Sequence, residues 1–378
     1  MEKLKGFARS NTRIFYLLLF ICCVIFITIL KVASSVILPF TIAILLSLVM
    51  YPFVRLLDKL KVPRFLSILL VLVILIAGLY LFVFILITSG RSILAVHAEY
   101  EERVTEIFHF VARFADLSFD EDISIWLNIW GQLGLRTFIR NFALSFTAVV
   151  VDFATSAVLV ILFILFILLE ASFFKEKLRV AFDKRSERLN QIGHDIMTQV
   201  TRYIAAKFFI SLANGIIFAV AFYFIGLEFA ILWGVIQFIF NFIPNLGSIT
   251  AGGAIILFSL VQFWPEPLPI ILVLIVVFGV NLGLCNTLDP KIVGERVGIS
   301  PFLVLVSLGV WGWIWGFAGM ILAVPMTSII KIICEKVPYL EPISVLIGTR
   351  KSVEAKRAER EKAAEEKAKM QDMKETLG

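Results

Sequence analysis

The chain has 378 residues, of which 60% are apolar and 17% charged, with a formal net charge of +6 and a mean hydropathy of +0.95. A soluble domain is nearer half apolar and a quarter charged, and at this length it could not hide so much hydrocarbon behind a polar surface. These figures exclude a water-soluble enzyme, a disordered chain and a secreted disulfide scaffold. They predict a membrane protein long enough for several spans, and the apolar segments taken in order below make it an all-α polytopic integral membrane protein with about eight membrane-embedded helical segments.

Residues 1–13 carry Lys3, Lys5, Arg9 and Arg13 against Glu2, and an uncharged apolar run follows over 14–30. A basic start before an apolar run also fits a secretory signal, with Val32-Ala33-Ser34-Ser35 as its cleavage site. The apolar run resumes from Val36 to Met50, which favours a membrane hairpin turning at the serines and Pro39. The loop 51–64 holds Arg55, Lys59, Lys61 and Arg64 and belongs in the cytoplasm, because Lys and Arg beside spans stay inside. Phe65 to Thr88 is a third span, so 1–88 forms an N-terminal unit of three spans with its N-terminus inside.

Residues 89–142 are richer in acids and read as an extracytoplasmic amphipathic helical insert. Ile93, Tyr100, Val104, Ile107, Val111 and Phe114 recur at helical spacing, and a second helix is expected over 123–142. Residues 143–169 form a fourth span. The basic stretch 170–207 returns the chain to the cytoplasm as a linker helix, with Phe182, Leu189, Ile196 and Tyr203 spaced by sevens.

The C-terminal region, 208–345, is differently built. A span over 208–225 precedes a 35-residue apolar stretch, 229–263, interrupted by Asn241-Phe242-Ile243-Pro244-Asn245-Leu246-Gly247. Another span covers 268–287, and a second overlong stretch, 301–331, is broken by glycines and Pro325. Two arrangements fit. Each stretch is a re-entrant hairpin, so that the region is an inverted repeat of span and hairpin, or each is one long kinked span. Both return the charged tail, 346–378, to the cytoplasm. There it forms a solvated helix with Glu365 and Lys369 four apart, or meets anionic lipid or a neighbouring subunit.

No enzyme constellation is present: there is no GxSxG, HExxH or phosphate-cradling loop, and His97, His109 and His194 are scattered. Neither a metal nor a cofactor is expected. Cys22, Cys23, Cys285 and Cys334 lie in apolar runs, without zinc or redox spacing. The charge placement speaks for a lipid bilayer as partner, not nucleic acid.

Polar groups inside hydrocarbon carry the functional signal, because each costs free energy without a partner or water. Asp152 lies in the fourth span, either in the headgroups or as a buried carboxylate. Gln237, Asn241 and Asn245 surround Pro244, which frees an upstream carbonyl. They either coordinate a polar solute or cation, or only repair the broken helix. Asn281, Asn286 and Asp289 form a second cluster, in which Asp289 either couples to a proton or caps the helix after Pro290. Gly247, Gly294, Gly312, Gly316, Gly319 and Pro325 are turn and hinge candidates. Trp311, Trp313 and Trp315 accompany that hinge or form an interfacial belt.

Several of these motifs resemble the AI-2E family. The resemblance rests on Leu38-Pro39-Phe40, Tyr51-Pro52 and the 241–247 motif, and most of all on Asp289-Pro290-Lys291-Ile292-Val293-Gly294. Val297-Gly298-Ile299-Ser300-Pro301 and Gly312-Trp313-Ile314-Trp315-Gly316-Phe317-Ala318-Gly319-Met320 follow in order. The resemblance implies a polytopic inner-membrane homo-oligomer that exports the furanone autoinducer-2 or exchanges sodium or lithium for protons. Asn245-Leu246 and Ser248 depart from the family pattern at a possible binding position. The leading expectation is export of a small polar solute through Gln237, Asn241, Pro244 and Asn245, facing Asn286, Asp289 and Gly312 to Gly316. The alternatives are cation/proton antiport through Asp289 or Asp152, and a membrane scaffold acting through the cytoplasmic helix and tail.

Overall fold

The computed structural model describes residues 24–114, 154–171, 186–283, 298–336 and 340–350, with scattered positions in 17–22, 173–180 and 353–361. Asp152, Asn286, Asp289, Gly294, Cys23, Cys285 and the second insert helix expected over 123–142 lie outside the described residues. The described elements are helical. They are α1 (Phe20–Val32) and α4 (Ala154–Ala171), α2 (Ser34–Lys59), α3 (Arg64–Phe114), α5 (Ser186–Ile225), α6 (Ala230–Phe240), α7 (Leu246–Phe263), α8 (Pro267–Val280), α9 (Pro301–Lys336) and α10 (Glu341–Ile347). Among the described residues, six helices are long and apolar enough to cross a membrane, and three apolar helices are shorter.

Helical bonding near Lys31 breaks at one residue, Ala33 (φ −92°, ψ 22°), which separates α1 from α2. The Ala33 N–H donates to the Ile29 carbonyl and the Ile37 N–H to the Ala33 carbonyl, both at 2.9 Å, so the helix resumes at once. Pro39 sits inside α2 and makes no turn. A helix in an apolar surrounding tolerates Pro where packing and neighbours compensate the lost bond.

Two other expected boundaries vanish for a related reason. α3 runs 51 residues, about 76 Å at 1.5 Å per residue, so the first insert helix extends the third apolar run. α5 runs 40 residues, joining the linker helix to the following span. Charge density changes along both helices without any residue that breaks them. Of the seven-residue series, Tyr203 is buried and Ile196 packs on a core beside Val200.

The core is divided. Ala43 and Val54 of α2, Ile68, Val71 and Leu72 of α3, and Val160, Ile164 and Leu168 of α4 form one cluster. Phe218 and Phe222 of α5, Ile255 of α7, and Val273 and Val277 of α8 form a second. A third joins Leu30 and Leu45 to Val200, Ile243 and the α9 residues Leu308, Trp311, Ile314 and Trp315. The outward reach of α3 ties to α7. Tyr100 donates to the Glu228 carboxylate, Arg103 donates to the Gln262 carbonyl, and Phe110 meets Trp264 at 4.9 Å.

Both overlong stretches reverse direction. In a continuous helix, residues 240 and 247 would be about 10 Å apart along the axis. Instead, a side chain at Gly247 would overlap the Phe240 carbonyl. Likewise a side chain at Gly319 would overlap the Trp311 carbonyl, eight residues back, and one at Gly312 would approach Met320. The α9 run is thus two arms meeting at Trp315 (φ −125°, ψ 17°) and Gly316 (φ 61°, ψ −140°). The rings of Phe240 and Phe317 lie 5.4 Å apart, so the two turns touch.

Candidate functional site

The first turn follows from its residues. α6 ends at Asn241, and Pro244 has no N–H with which to continue a helix. Asn245 then takes φ 60°, ψ −52°, and the Leu246 N–H donates to the Pro244 carbonyl across it at 2.6 Å, a γ-turn of the uncommon positive-φ kind. At ψ −52° Asn245 lies outside the left-handed helical region that Asn favours, so the turn holds it in sparsely populated backbone space. Its side chain is exposed and caps nothing. The expected polar cluster around Pro244 is therefore split: Asn245 serves the turn geometry, while Gln237 and Asn241 point into the protein.

Gln237 and Asn241 are 0% and 2% exposed, and they lie four apart on one face of α6. They face α5, because the two helices approach at glycines. A Cβ at Gly215 would sit 2.7 Å from the Gly234 carbonyl oxygen and 3.0 Å from Phe238 Cβ. One, four and eight residues before Gly215, the seam is polar on the α5 side too: Asn214, Ser211 and Lys207 share a face at helical spacing and are all buried. Asn241 Nδ2 donates to Ser211 Oγ at 2.9 Å. Asn214, fully buried, lies between that contact and Gly215. Neither amide atom of Asn214, nor either of Gln237, has a hydrogen-bond partner among the described residues. An unmet buried polar group costs about 1–3 kcal/mol, so this seam is expensive as it stands.

Sequence reading passed over Asn214 and Ser211. The signal was available: Ser211 and Asn214 lie three apart in the uncharged run 208–225. That run was read as a plain span because its hydropathy stayed high.

The remaining candidates are distributed. Asn281 follows α8 and faces Gly252 of α7, where a Cβ would lie 3.7 Å from Asn281 Nδ2. It belongs to a different seam from Gln237. Gly312, Gly316 and Gly319 form the second turn, and Pro325 is buried one arm beyond it. That turn is aromatic: the Trp311 and Trp315 rings pack at 5.1 Å, Trp315 Nε1 donates to the Leu30 carbonyl at 2.9 Å, and Lys31 Nζ sits 3.5 Å over the Trp313 ring. Trp311 and Trp315 are buried, not an interfacial belt, while Trp313 is exposed beneath its lysine. Among the described residues, no group of three or more His, Cys, Asp or Glu could hold a metal ion.

The profile of the AI-2E family transporters matches residues 14–338. A Borreliella burgdorferi protein named as a transport protein is 32% identical over 336 residues, covering 89% of this chain and 90% of its own. The AI-2 transport protein TqsA of Escherichia coli is 26% identical, covering 84% of this chain and 91% of its own. A sodium-lithium/proton antiporter of Halobacillus andaensis is 24% identical over 47% of this chain and 50% of its own.

Proposed function

The chain belongs to the AI-2E family of transporters, and from that premise we propose that it exports a small polar solute, with autoinducer-2 the first candidate. It is a multi-pass membrane protein whose apolar helices imply a bilayer around it. The observation that carries the reading is the meeting of two chain reversals at Phe240 and Phe317, beside buried amides.

The arms support hairpins that dip into the bilayer from opposite faces. α6 has 11 residues, about 16 Å, against a hydrocarbon core of about 30 Å. The break at Trp315 and Gly316 leaves a first arm of α9 that is also short. The first hairpin follows α5, with 40 residues, and the second follows α8, whose 14 described residues are short of a full crossing; the order we propose is span, hairpin, span, hairpin. Non-helical backbone at membrane depth is tolerable where protein or a water-filled cavity covers it. Movement of this C-terminal half against the N-terminal helices then exposes the seam alternately to either side. Glycine hinges at the second turn and the amides at the first divide that work. The homo-oligomer implied by the family is part of the same proposal.

A cation/proton antiporter is the second reading, favoured by the likeness over 47% of this chain to the Halobacillus protein. It would act through Asp289 or Asp152. Proteoliposomes separate the two. Release of enclosed autoinducer-2, faster than from protein-free liposomes and slowed by Gly316→Ala, is the expected result. Release equal to protein-free liposomes, with sodium-driven proton flux that Asp289→Asn abolishes, would establish the antiporter instead.

A further inference from the structure

We propose that the seam between α5 and α6 is a binding site for an uncharged solute bearing hydroxyl or carbonyl groups, centred on Asn214 and Gln237. The proposal rests on the transport reading and names the place and chemistry of its recognition step.

Two glutamines of the same hairpin make the contrast. Gln262 is 7% exposed and satisfied: its Nε2 donates to the Gly226 carbonyl at 2.9 Å, and its Oε1 accepts from the Glu228 N–H at 2.8 Å. Gln237 is 0% exposed, and neither its Nε2 nor its Oε1 is met. The fold can thus satisfy a buried glutamine, and at 237 it does not. Asn214 repeats the pattern on the facing helix, next to an Asn241–Ser211 bond that is made. The Trp233 indole N–H, one turn along α6 from Gln237, is a further unmet buried donor. Native proteins pair nearly all such groups, and the exceptions concentrate where a ligand completes them.

The donor and acceptor types select the ligand. Each amide offers one acceptor oxygen and two N–H donors. A hydroxyl both donates and accepts, and a carbonyl accepts, so a neutral oxygenated molecule matches the pair. A desolvated cation needs a shell of oxygens alone. Here nitrogens equal oxygens among the unmet amide atoms, and Lys207 is buried on the same face of α5. The wholly buried polar residues along this seam are Lys207, Ser211, Asn214, Gln237 and Asn241, with no carboxylate among them. A Cβ at Gly215 or Gly234 would meet the other glycine's carbonyl oxygen, so the backbones touch there and the solute sits beside that crossing, against Asn214 and Gln237.

The experiment uses the full chain, wild type and three variants: Asn214→Leu, Gln237→Met and the pair combined. These approximate the shape of the amide side chains, with Leu bulkier than Asn, and remove the unmet atoms. Thermal unfolding in detergent is measured with and without 50 mM D-ribose, autoinducer-2 or sodium chloride, and autoinducer-2 release is measured from proteoliposomes. Sugars stabilise proteins by exclusion from the surface, so only the difference between wild type and double variant counts. The expected result is that the variants unfold at the wild-type temperature or above it. They should lose the ligand-specific shift for the uncharged probes and release autoinducer-2 at least tenfold more slowly. Unfolding several degrees lower with release unchanged would mean that the amides hold structural water, and would overturn the proposal. A specific shift for sodium alone, lost in the variants, would overturn its chemistry. If wild type releases no autoinducer-2, the transport reading fails, and the wild-type shift with D-ribose, present or absent, still decides the binding claim. Gln237→Met alone answers the question if the leucine variant does not fold.

Discussion

The reversal after α6 takes five residues, Asn241 to Asn245, and is shaped by a proline and a positive-φ asparagine. The reversal within α9 takes two, Trp315 and Gly316, and is shaped by a glycine alone. The first turn adjoins a polar seam and leans on α5. The second is packed in indole rings and tied to the N-terminal helices through Leu30 and Lys31. The pair teaches that one architectural task, turning the chain back inside apolar surroundings, leaves different room beside it. A longer turn adjoining amides suits recognition. A minimal turn buried in aromatic hydrocarbon suits a fixed or pivoting contact.

The largest effects should come from the close approaches that define both reversals. Gly247→Ala and Gly319→Ala each force a methyl into backbone, at Phe240 and Trp311. Backbone cannot swing aside, so each should cost about 3 kcal/mol or more, the upper end of overpacking penalties. Size-exclusion yield and thermal unfolding in detergent measure this. Gly312→Ala is the control within the same turn. Its added methyl meets Met320 Cγ at 2.9 Å, which a change of the Met320 rotamer can relieve where backbone cannot yield, so the cost should be about 1–2 kcal/mol, below that at 319. Equal tolerance at 319 and 312 would mean that α9 is one kinked helix, and the comparison would collapse.

Next in size is Gly316→Ala. At φ 61° and ψ −140°, a residue with a Cβ sits in backbone space that is nearly the preserve of glycine. A penalty of about 1–3 kcal/mol is expected, seen as a lower unfolding temperature. Gly316→Asn should do no better, because Asn is favoured near ψ 45° and not at this ψ. Smaller again are the ties that hold only the second turn. Lys31→Met removes a cation–π contact worth about 0.5–1 kcal/mol at an exposed site. Trp315→Phe removes one hydrogen bond, about 0.5–1.5 kcal/mol, and leaves the Leu30 carbonyl unmet. Both should lower stability without changing the ligand-specific shift assigned to the α5–α6 seam.

The sequence made much of this legible, and its failures have physical reasons. Overlong apolar stretches interrupted by Pro244 and Asn245 in one and by Gly312 and Gly316 in the other marked both reversals, because each interruption removes a helical donor or supplies a conformation that helices avoid. Gln237 and Asn241 were visible as amides in hydrocarbon. A break near Lys31 was legible from a charge and two serines, but not its extent: it takes one residue, Ala33, and Pro39 continues the helix. The ends of α3 and α5 were misplaced for the complementary reason: composition changes along them but nothing terminates them. Asn214 escaped because one amide scarcely dents the hydropathy of its window, and only the packing of α5 on α6 gives it a counterpart.

The smallest expected effect bears on Asn245, where the comparison between turns is sharpest. Its backbone occupies positive φ, as Gly316 does, but with a side chain present and exposed. If that side chain serves only the turn, Asn245→Gly should change stability by a few tenths of a kcal/mol, because glycine adopts the same φ freely. Autoinducer-2 release should then be unchanged. Asn245→Val should lower the unfolding temperature clearly, because a β-branched residue at positive φ is strongly disfavoured. Glycine and valine thus separate backbone from side chain at one position. Loss of release in Asn245→Gly, with stability intact, would place the Asn245 amide in solute contact. Recognition would then extend from the α5–α6 seam into the turn itself, and the division of labour between the two hairpins would rest on the first turn's side chains as well as its length.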